Sequence, residues 1–244
     1  RGRRLRHHRL GAHRLPAPPG APFAQVGLGQ NGYRRLLAAG GHSLGDLNLI
    51  GAVEVGGYNG PWEQAQNLEK YNAVLRLSSG TAANGFALTG MAYKADWTAT
   101  EHVPERAITS GEIGRYGALS PRDGGRTHRH SLSGDWARTT DSGASKLNLY
   151  VIDYGLNYFA NPSGYINGLP GDQHEQADER TLWGGQLKHS WFLGPQWKDT
   201  ELSLGAQLRQ DRIASVGLYA TENRQRTQTI REDRIRQTAL AFLV

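Results

Sequence analysis

The chain of 244 residues contains no cysteine, which excludes disulfides, thiolate metal sites and a cysteine nucleophile. Its 32 glycines, ten tyrosines and six tryptophans are typical of a β-rich protein. There is no apolar run of about 18 residues, so a transmembrane helix is excluded. No apolar segment follows the N-terminal arginines as it would in a signal peptide. If the protein is exported, we expect its leader to precede residue 1.

The formal net charge of +6 is concentrated at the N-terminus. Six arginines precede residue 15, whereas the first acidic residue is Asp46. Without those six, the 28 basic residues fall to 22, which equals the 22 acidic residues, so the rest of the chain is neutral. We therefore expect residues 1–22 to be a basic, proline-rich disordered or foreign arm, and we predict no nucleic-acid partner for the folded part, residues 23–244.

Alternating apolar and polar residues predict β-strands from residue 23 onward. The clearest stretch is 201–209, where Leu202, Leu204 and Leu208 alternate with Glu201 and Arg209. Successive side chains of a strand point to opposite faces, so such a strand has one apolar and one polar face. Nine strands are predicted, near residues 24–39, 46–58, 69–79, 84–98, 127–139, 145–159, 179–192, 199–214 and 229–244.

Two of the predicted strands are irregular. Within residues 146–158 the apolar positions change face near Asp153 and Gly155, which predicts a β-bulge. Residues 181–191 have a tryptophan near each end and no strong alternation between them.

The connections between the strands alternate in length. Short turns are predicted at 40–45, 79–84, 139–144 and 193–198, and long loops at 59–68, 99–126, 160–178 and 215–228. This pattern is typical of an antiparallel up-and-down transmembrane β-barrel, which has tight periplasmic turns and extended outer loops. The predicted strands are also long enough for the about 9–11 residues that a tilted strand needs to cross the membrane.

Aromatic residues near the predicted strand ends favour the same fold, because such rings prefer the membrane–water interface. They could also plug the core of a soluble β-sandwich. The residues are Tyr58, Trp62, Tyr71, Trp97, Trp136, Trp183, Trp191 and Trp197.

Several short motifs follow one another along the chain. They are Gly-Tyr-Arg-Arg at 32–35, Tyr-Asn-Gly-Pro-Trp at 58–62, Met-Ala-Tyr at 91–93, Pro-Glu-Arg-Ala at 104–107, Asp-Gly-Gly-Arg at 123–126, Ser-Leu-Ser at 131–133, Gly-Asp-Gln at 171–173 and Val-Gly-Leu-Tyr at 216–219. In their order and spacing, residues 24–244 resemble the N-terminal part of the barrel of proteobacterial TonB-dependent receptors.

The resemblance implies a 22-stranded barrel in the outer membrane of a Gram-negative cell, plugged by an N-terminal globular domain. Such receptors import a scarce nutrient, such as a siderophore, cobalamin, a sugar or a metal chelate, with energy passed on by TonB. The implied partners are outer-membrane lipid and lipopolysaccharide, the nutrient, and TonB through a plug that this sequence lacks. Nine is an odd number of strands, unlike a complete bacterial barrel. We therefore expect a fragment that does not function alone, folded as an open, curled sheet with two bare edges.

Candidate sites are few, and we predict no catalytic, cofactor or metal site and no enzyme; substrate-binding residues are not predicted. His128 and His130 lie on one face of a strand but lack a third metal ligand. Glu101 and His102 share a long loop without a second motif. Solvent-exposed side chains are the expectation for His128 and His130, which lie at the junction of a loop and a strand.

Two further patterns are rejected as sites. Asp172, Glu175 and Glu179 suggest an acidic calcium loop, but Ala177 occupies a position that would need an oxygen ligand. Gly-Leu-Gly-Gln-Asn-Gly at 27–32 has the spacing of a nucleotide-binding turn but lies in a predicted strand with no helix after it.

Two other functions stay open. One is a self-contained, porin-like outer-membrane barrel of eight or ten strands, which requires contact between residues 24–39 and 236–244. The other is a soluble, carbohydrate-binding β-sandwich, which would enclose the apolar faces in one core.

Overall fold

The computed structural model describes residues 21–99, 102–166, 172–197 and 200–244. These residues form one antiparallel sheet of ten strands, in which each strand pairs with its neighbours in chain order. The strands are β1 (Phe23–Leu28), β2 (Arg34–Leu44), β3 (Leu47–Tyr58), β4 (Leu68–Gly80), β5 (Gly85–Thr98), β6 (Gly124–Thr140), β7 (Gly143–Ala160), β8 (Gln173–Phe192), β9 (Glu201–Glu222) and β10 (Gln225–Leu243). A five-residue helix, α1 (Glu105–Thr109), lies between β5 and β6. No helix in these ranges has the length and apolar character needed to span a membrane.

The first predicted strand, 24–39, is two strands joined by a turn at residues 29–33. The amide of Gly29 donates to the carbonyl of Tyr33 at 3.0 Å, and Asn31 and Gly32 have φ angles of 56° and 70°. Asn-Gly adopts this left-handed conformation readily, which favours a hairpin turn. The prediction of nine strands was therefore wrong, and the odd number no longer argues for a fragment.

The predicted alternation of short and long connections holds with one exception. The predicted long loop at 215–228 is instead strand, because β9 and β10 continue to a two-residue turn at Asn223 and Arg224, with φ angles of 53° and 66°. This turn lies at the same end of the sheet as the connections at 29–33, 59–67, 99–123 and 161–172. The opposite end has the connections at 45–46, 81–84, 141–142 and 193–200. The first end is called the loop end below.

The predicted bulge in the seventh strand is absent. β7 pairs without a register shift with β6 and with β8 over residues 143–160. Asp153 and Gly155 lie on the same face of β7 as the apolar residues before them. The backbone alternation is therefore unbroken, and only the character of that face changes from apolar to polar. Register shifts occur instead between β8 and β9, at Glu179 and Arg180, and between β9 and β10.

Directly paired residues of an antiparallel sheet lie on the same face, so the register defines two faces. On one face, large apolar side chains are exposed in every strand, and we call these side chains together the apolar band. One representative from each strand in turn is Val26, Leu36, Val53, Leu75, Leu88, Leu132, Leu149, Leu187, Leu204 and Leu240.

In β3, the opposite face carries a charged residue that is less exposed than its apolar neighbours. Val53 and Val55 are 51% and 44% exposed, whereas the side chain of Glu54 between them is 17% exposed. Glu54 forms ion pairs with Arg35 and Lys70, both at 2.8 Å. We call this surface the polar face.

The aromatic residues divide between the two faces. Trp136 and Trp191 lie on the apolar face, near the end of the sheet with the short turns. Trp183 lies on the same face, at the border of the apolar band that is nearer the loop end. Trp183 is in the middle of β8 rather than at a strand end. Trp97 is on the polar face, where its ring stacks with Tyr158 at 6.5 Å between centroids.

The sheet is open among the described strands. β1 and β10 each pair with one neighbour, β2 and β9 respectively, which confirms the expected open antiparallel sheet with two edges. The contact between the first and last strands that a closed small barrel requires is not among the strand pairings. The described strands also form no second sheet, as a β-sandwich would need.

Candidate functional site

The loop end holds a group of buried polar side chains centred on Asp123 and Gln173, each 3% exposed. Asp123 precedes β6, and Gln173 begins β8. The Oδ1 atom of Asp123 accepts hydrogen bonds from the hydroxyl of Tyr165 at 2.9 Å and from Nε2 of Gln173 at 2.7 Å. The loop before β6 and the segment that leads into β8 therefore meet at one carboxylate.

Gln173 extends this network to the β9–β10 hairpin. Its Oε1 atom accepts from the hydroxyl of Thr221 at 3.1 Å and from the backbone amide of Arg224 at 2.9 Å. Thr221 is 2% exposed. Buried polar groups are costly unless they are paired, so these bonds fix the position of the hairpin relative to the loop before β6. Asp123, Tyr165, Gln173, Thr221 and Arg224 are called the loop-end network below.

The guanidinium of Arg224 binds three backbone carbonyls in two segments of the chain. It donates to the carbonyl of Arg122 at 2.6 Å, of Asp123 at 2.9 Å and of Trp97 at 3.3 Å. It also lies over the ring of Phe159, 5.3 Å from the centroid. Burial lowers the pKa of this guanidinium. Its charge is thus held by carbonyl dipoles and an aromatic ring rather than by a carboxylate.

Tyr165 is held in its neutral form by the same surroundings. Burial raises the pKa of the phenol above its ordinary value; the hydrogen bond with the Ser120 hydroxyl opposes this, and the negative charge of Asp123 acts in the same direction as burial. A protonated phenol donates the hydrogen bond that Asp123 accepts.

An ion pair with a buried carboxylate lies beside the network. Glu175, 3% exposed, accepts from Arg226 at 2.6 Å and from the amide of Asn157 at 2.6 Å. The guanidinium of Arg226 lies 3.6 Å from the centroid of the Tyr219 ring. This arrangement links β7, β8, β9 and β10 beyond the apolar band.

The network borders a cavity of about 360 Å³. Asn67, Trp97, Arg126, Phe159 and Arg224 are among its lining residues. Two guanidinium groups, an amide and two aromatic rings are suited to binding a polar small molecule. Asp96 and Thr98 also line the cavity, which is therefore a candidate binding site.

The residues predicted from the sequence fall in different places. His128 and His130 lie on the same face, as expected, and the structure adds Asp153 from the neighbouring strand β7. Nε2 of His128 is 3.2 Å, and Nδ1 of His130 is 3.6 Å, from Oδ2 of Asp153. This third potential ligand was missed because it follows from strand pairing: the turn at 141–142 sets residue 130 opposite residue 153.

The other sequence patterns do not converge on a site. Glu101 lies outside the described residues, and His102 is exposed. Glu175 and Glu179 are in strand β8 rather than in an acidic loop, and Glu175 is paired with Arg226. Asp172 accepts from the hydroxyl of Ser163 at 2.6 Å. The glycine pattern at 27–32 spans the end of β1 and the first hairpin turn.

Three residues of the network, Thr221, Arg224 and Tyr165, were not singled out by the sequence. The first two fall in the incorrectly predicted loop at 215–228. Asp123 and Gln173, by contrast, belong to motifs that carry the family resemblance. No protein-family model, no curated protein and no solved structure matches this chain.

Proposed function

We propose that this chain is part of the barrel wall of an outer-membrane transporter, of the TonB-dependent receptor type. The observation that carries the proposal is the reversed arrangement of the two faces. Leucines and valines are exposed in all ten strands, while the ion-paired Glu54 and Arg35 on the opposite face are less exposed. A water-soluble sheet buries its apolar face, and a monomer rarely exposes so large an apolar surface.

The apolar band has the size that a membrane requires. From Leu47 to Val55 the apolar row covers nine residues of β3. A tilted strand needs about 9–11 residues to cross the hydrocarbon layer. The long connections share one end of the sheet, as the outer loops of such barrels do.

In the proposed barrel, the polar face lines the lumen and contacts the nutrient. The unpaired edges of β1 and β10 then pair with further barrel strands, because unpaired backbone groups at membrane depth cost several kcal/mol each. Coupling to TonB and the nutrient class (siderophore, cobalamin, sugar or metal chelate) rest on the motif resemblance. The chain alone is not expected to transport.

The membrane orientation is tested with single cysteines, since the chain has none of its own. Leu75→Cys and Leu149→Cys place a fluorescent label on the apolar band, and Arg76→Cys and Asn148→Cys place it one residue away on the polar face. After reconstitution into liposomes, spin-labelled lipid should quench the first two labels and spare the second two. Equal quenching within each pair, or a monodisperse chain that needs no detergent, would contradict the proposal.

The receptor type is tested separately by the coding sequence on both sides of this chain. We expect a plug-encoding segment upstream and further strands downstream. A signal peptide directly before Arg1 and a stop codon directly after Val244 would rule out the receptor and leave the small barrel.

A further inference from the structure

Two imidazoles and one carboxylate converge on the apolar-band side of the sheet, just beyond the last apolar row. His128 and His130 project from β6, and Asp153 projects from β7 directly opposite His130. Below them lie Leu132 and Val151, which are paired and belong to the apolar band. We propose that these three side chains bind a divalent transition-metal ion, with Zn²⁺ as the best-matched ion.

The distances fit the coordination geometry of zinc. Ligand atoms about 2.0–2.1 Å from a tetrahedral ion are about 3.3 Å apart. The two measured separations, 3.2 Å from His128 Nε2 and 3.6 Å from His130 Nδ1 to Asp153 Oδ2, bracket that value. All three ligand atoms lie within 4.8 Å of one another. Within the described part of the chain this is the only group of three or more such side chains.

The backbone around the group is shaped to bring the rings together. His128 lies opposite Gly155, and a Cβ atom added there would be 2.3 Å from Cε1 of His128. The missing side chain lets the His128 ring lie across β7 towards Asp153. The rings of His128 and His130 stack with centroids 5.3 Å apart and an angle of 26°. Lys94, which lies directly opposite His128 on the neighbouring strand β5, forms an ion pair with Asp96 at 3.4 Å.

The ligand types select the ion. Imidazole nitrogens favour Zn²⁺, Cu²⁺ and Ni²⁺ over Mg²⁺ and Ca²⁺, which prefer oxygen. Three protein ligands leave a coordination position open for water or another donor. The side chains of His128, His130 and Asp153 are 41%, 57% and 55% exposed, so the ion is reachable from solvent. This site is on the opposite face from the proposed lumen and does not depend on the proposed transport.

The test is a Zn²⁺ titration of the full chain in detergent against a chromogenic chelator, with Mg²⁺ as the control ion. His7, His8 and His13 also offer imidazoles, so all variants are made with these three replaced by alanine. We expect this background to bind one Zn²⁺. His130→Ala and Asp153→Asn should weaken binding at least tenfold, whereas His42→Ala, which removes an exposed histidine of the same face, should not.

Glycine variants test the geometry. Gly155→Ala should weaken Zn²⁺ binding at least tenfold by displacing the His128 ring. Gly134→Ala is the matched control, because an added Cβ there meets nothing closer than Leu88, at 4.0 Å. The exposed His130→Ala and Asp153→Asn variants remain decisive if Gly155→Ala fails to fold. Equal Zn²⁺ affinity in the background, His130→Ala and Asp153→Asn chains would overturn the proposal and leave only a His128–Asp153 hydrogen bond.

Discussion

Replacing Gln173 by leucine should loosen the loop end without affecting the rest of the sheet. Leucine keeps most of the volume of glutamine but removes three hydrogen bonds, those to Asp123, Thr221 and the amide of Arg224. Asp123 would keep one bond to its Oδ1, from Tyr165. The hydroxyl of Thr221, 2% exposed, would lose its acceptor.

The size of the effect follows from these two buried groups. A buried polar group left without its partner costs about 1–3 kcal/mol. Taking about 1.5 kcal/mol for the Thr221 hydroxyl, which loses its acceptor, and about 1.5 kcal/mol for Asp123, which loses one of the two bonds to its Oδ1, the free energy of local opening should fall by about 3 kcal/mol. Because roughly 1.4 kcal/mol corresponds to a factor of ten, amide exchange at the loop end should become about 100-fold faster.

Hydrogen exchange measured by mass spectrometry resolves the two regions. Peptides covering residues 102–123 and 161–166 should exchange faster in Gln173→Leu, and peptides from β3 and β4 should not change. Gln186→Leu is the control, since it makes the same substitution at an exposed position of the same strand. Exchange rates at the loop end that match those of Gln186→Leu would refute the assigned role of Gln173.

Two further predictions concern the loop end and the sheet edges. Because the pKa of Tyr165 is raised by burial, its contribution to stability is complete below about pH 10, the ordinary value for a phenol, and declines as the pH rises further. In an ultraviolet titration, Tyr165→Phe should remove a late ionisation step that Tyr116→Phe, at an exposed loop position, leaves in place. Cysteines at Ala24 and Ala38, which are paired, should be joined by a flexible bismaleimide, whereas cysteines at Ala24 and Leu240 should not. Efficient joining of the second pair within a monomer would instead support a closed ten-stranded barrel.

The parts of the fold that the sequence predicted are those where a strand has one apolar and one polar face. Leu202, Leu204 and Leu208 lie on one face and Glu201 and Arg209 on the other, as the alternation indicated. In such a stretch the face on which a side chain lies follows from the apolar or polar character of its neighbours in sequence, without knowledge of tertiary contacts.

The predictions failed where strands continue beyond the apolar band. β8 begins at Gln173 rather than near 179, and β9 continues to Glu222 rather than ending near 214. There the strands are stabilised by backbone pairing and by side-chain bonds such as Gln173–Thr221, between residues 48 apart in sequence. The alternation of apolar and polar residues along a single strand does not predict such contacts. Asp153 was missed for a related reason, since its proximity to His130 depends on strand register.

The apolar band and the loop-end network can therefore be perturbed independently. In β9 the apolar row ends at Leu208, and Thr221 follows thirteen residues later, about 40 Å along an extended strand at roughly 3.3 Å per residue. Substitutions in the network should accordingly leave lipid quenching at Leu149→Cys unchanged. Conversely, a charged residue in place of Leu149 should impair membrane insertion while the hydrogen bonds around Asp123 persist. The network holds the walls of the cavity beside Arg224 in position before any ligand arrives, which lowers the ordering cost of binding there.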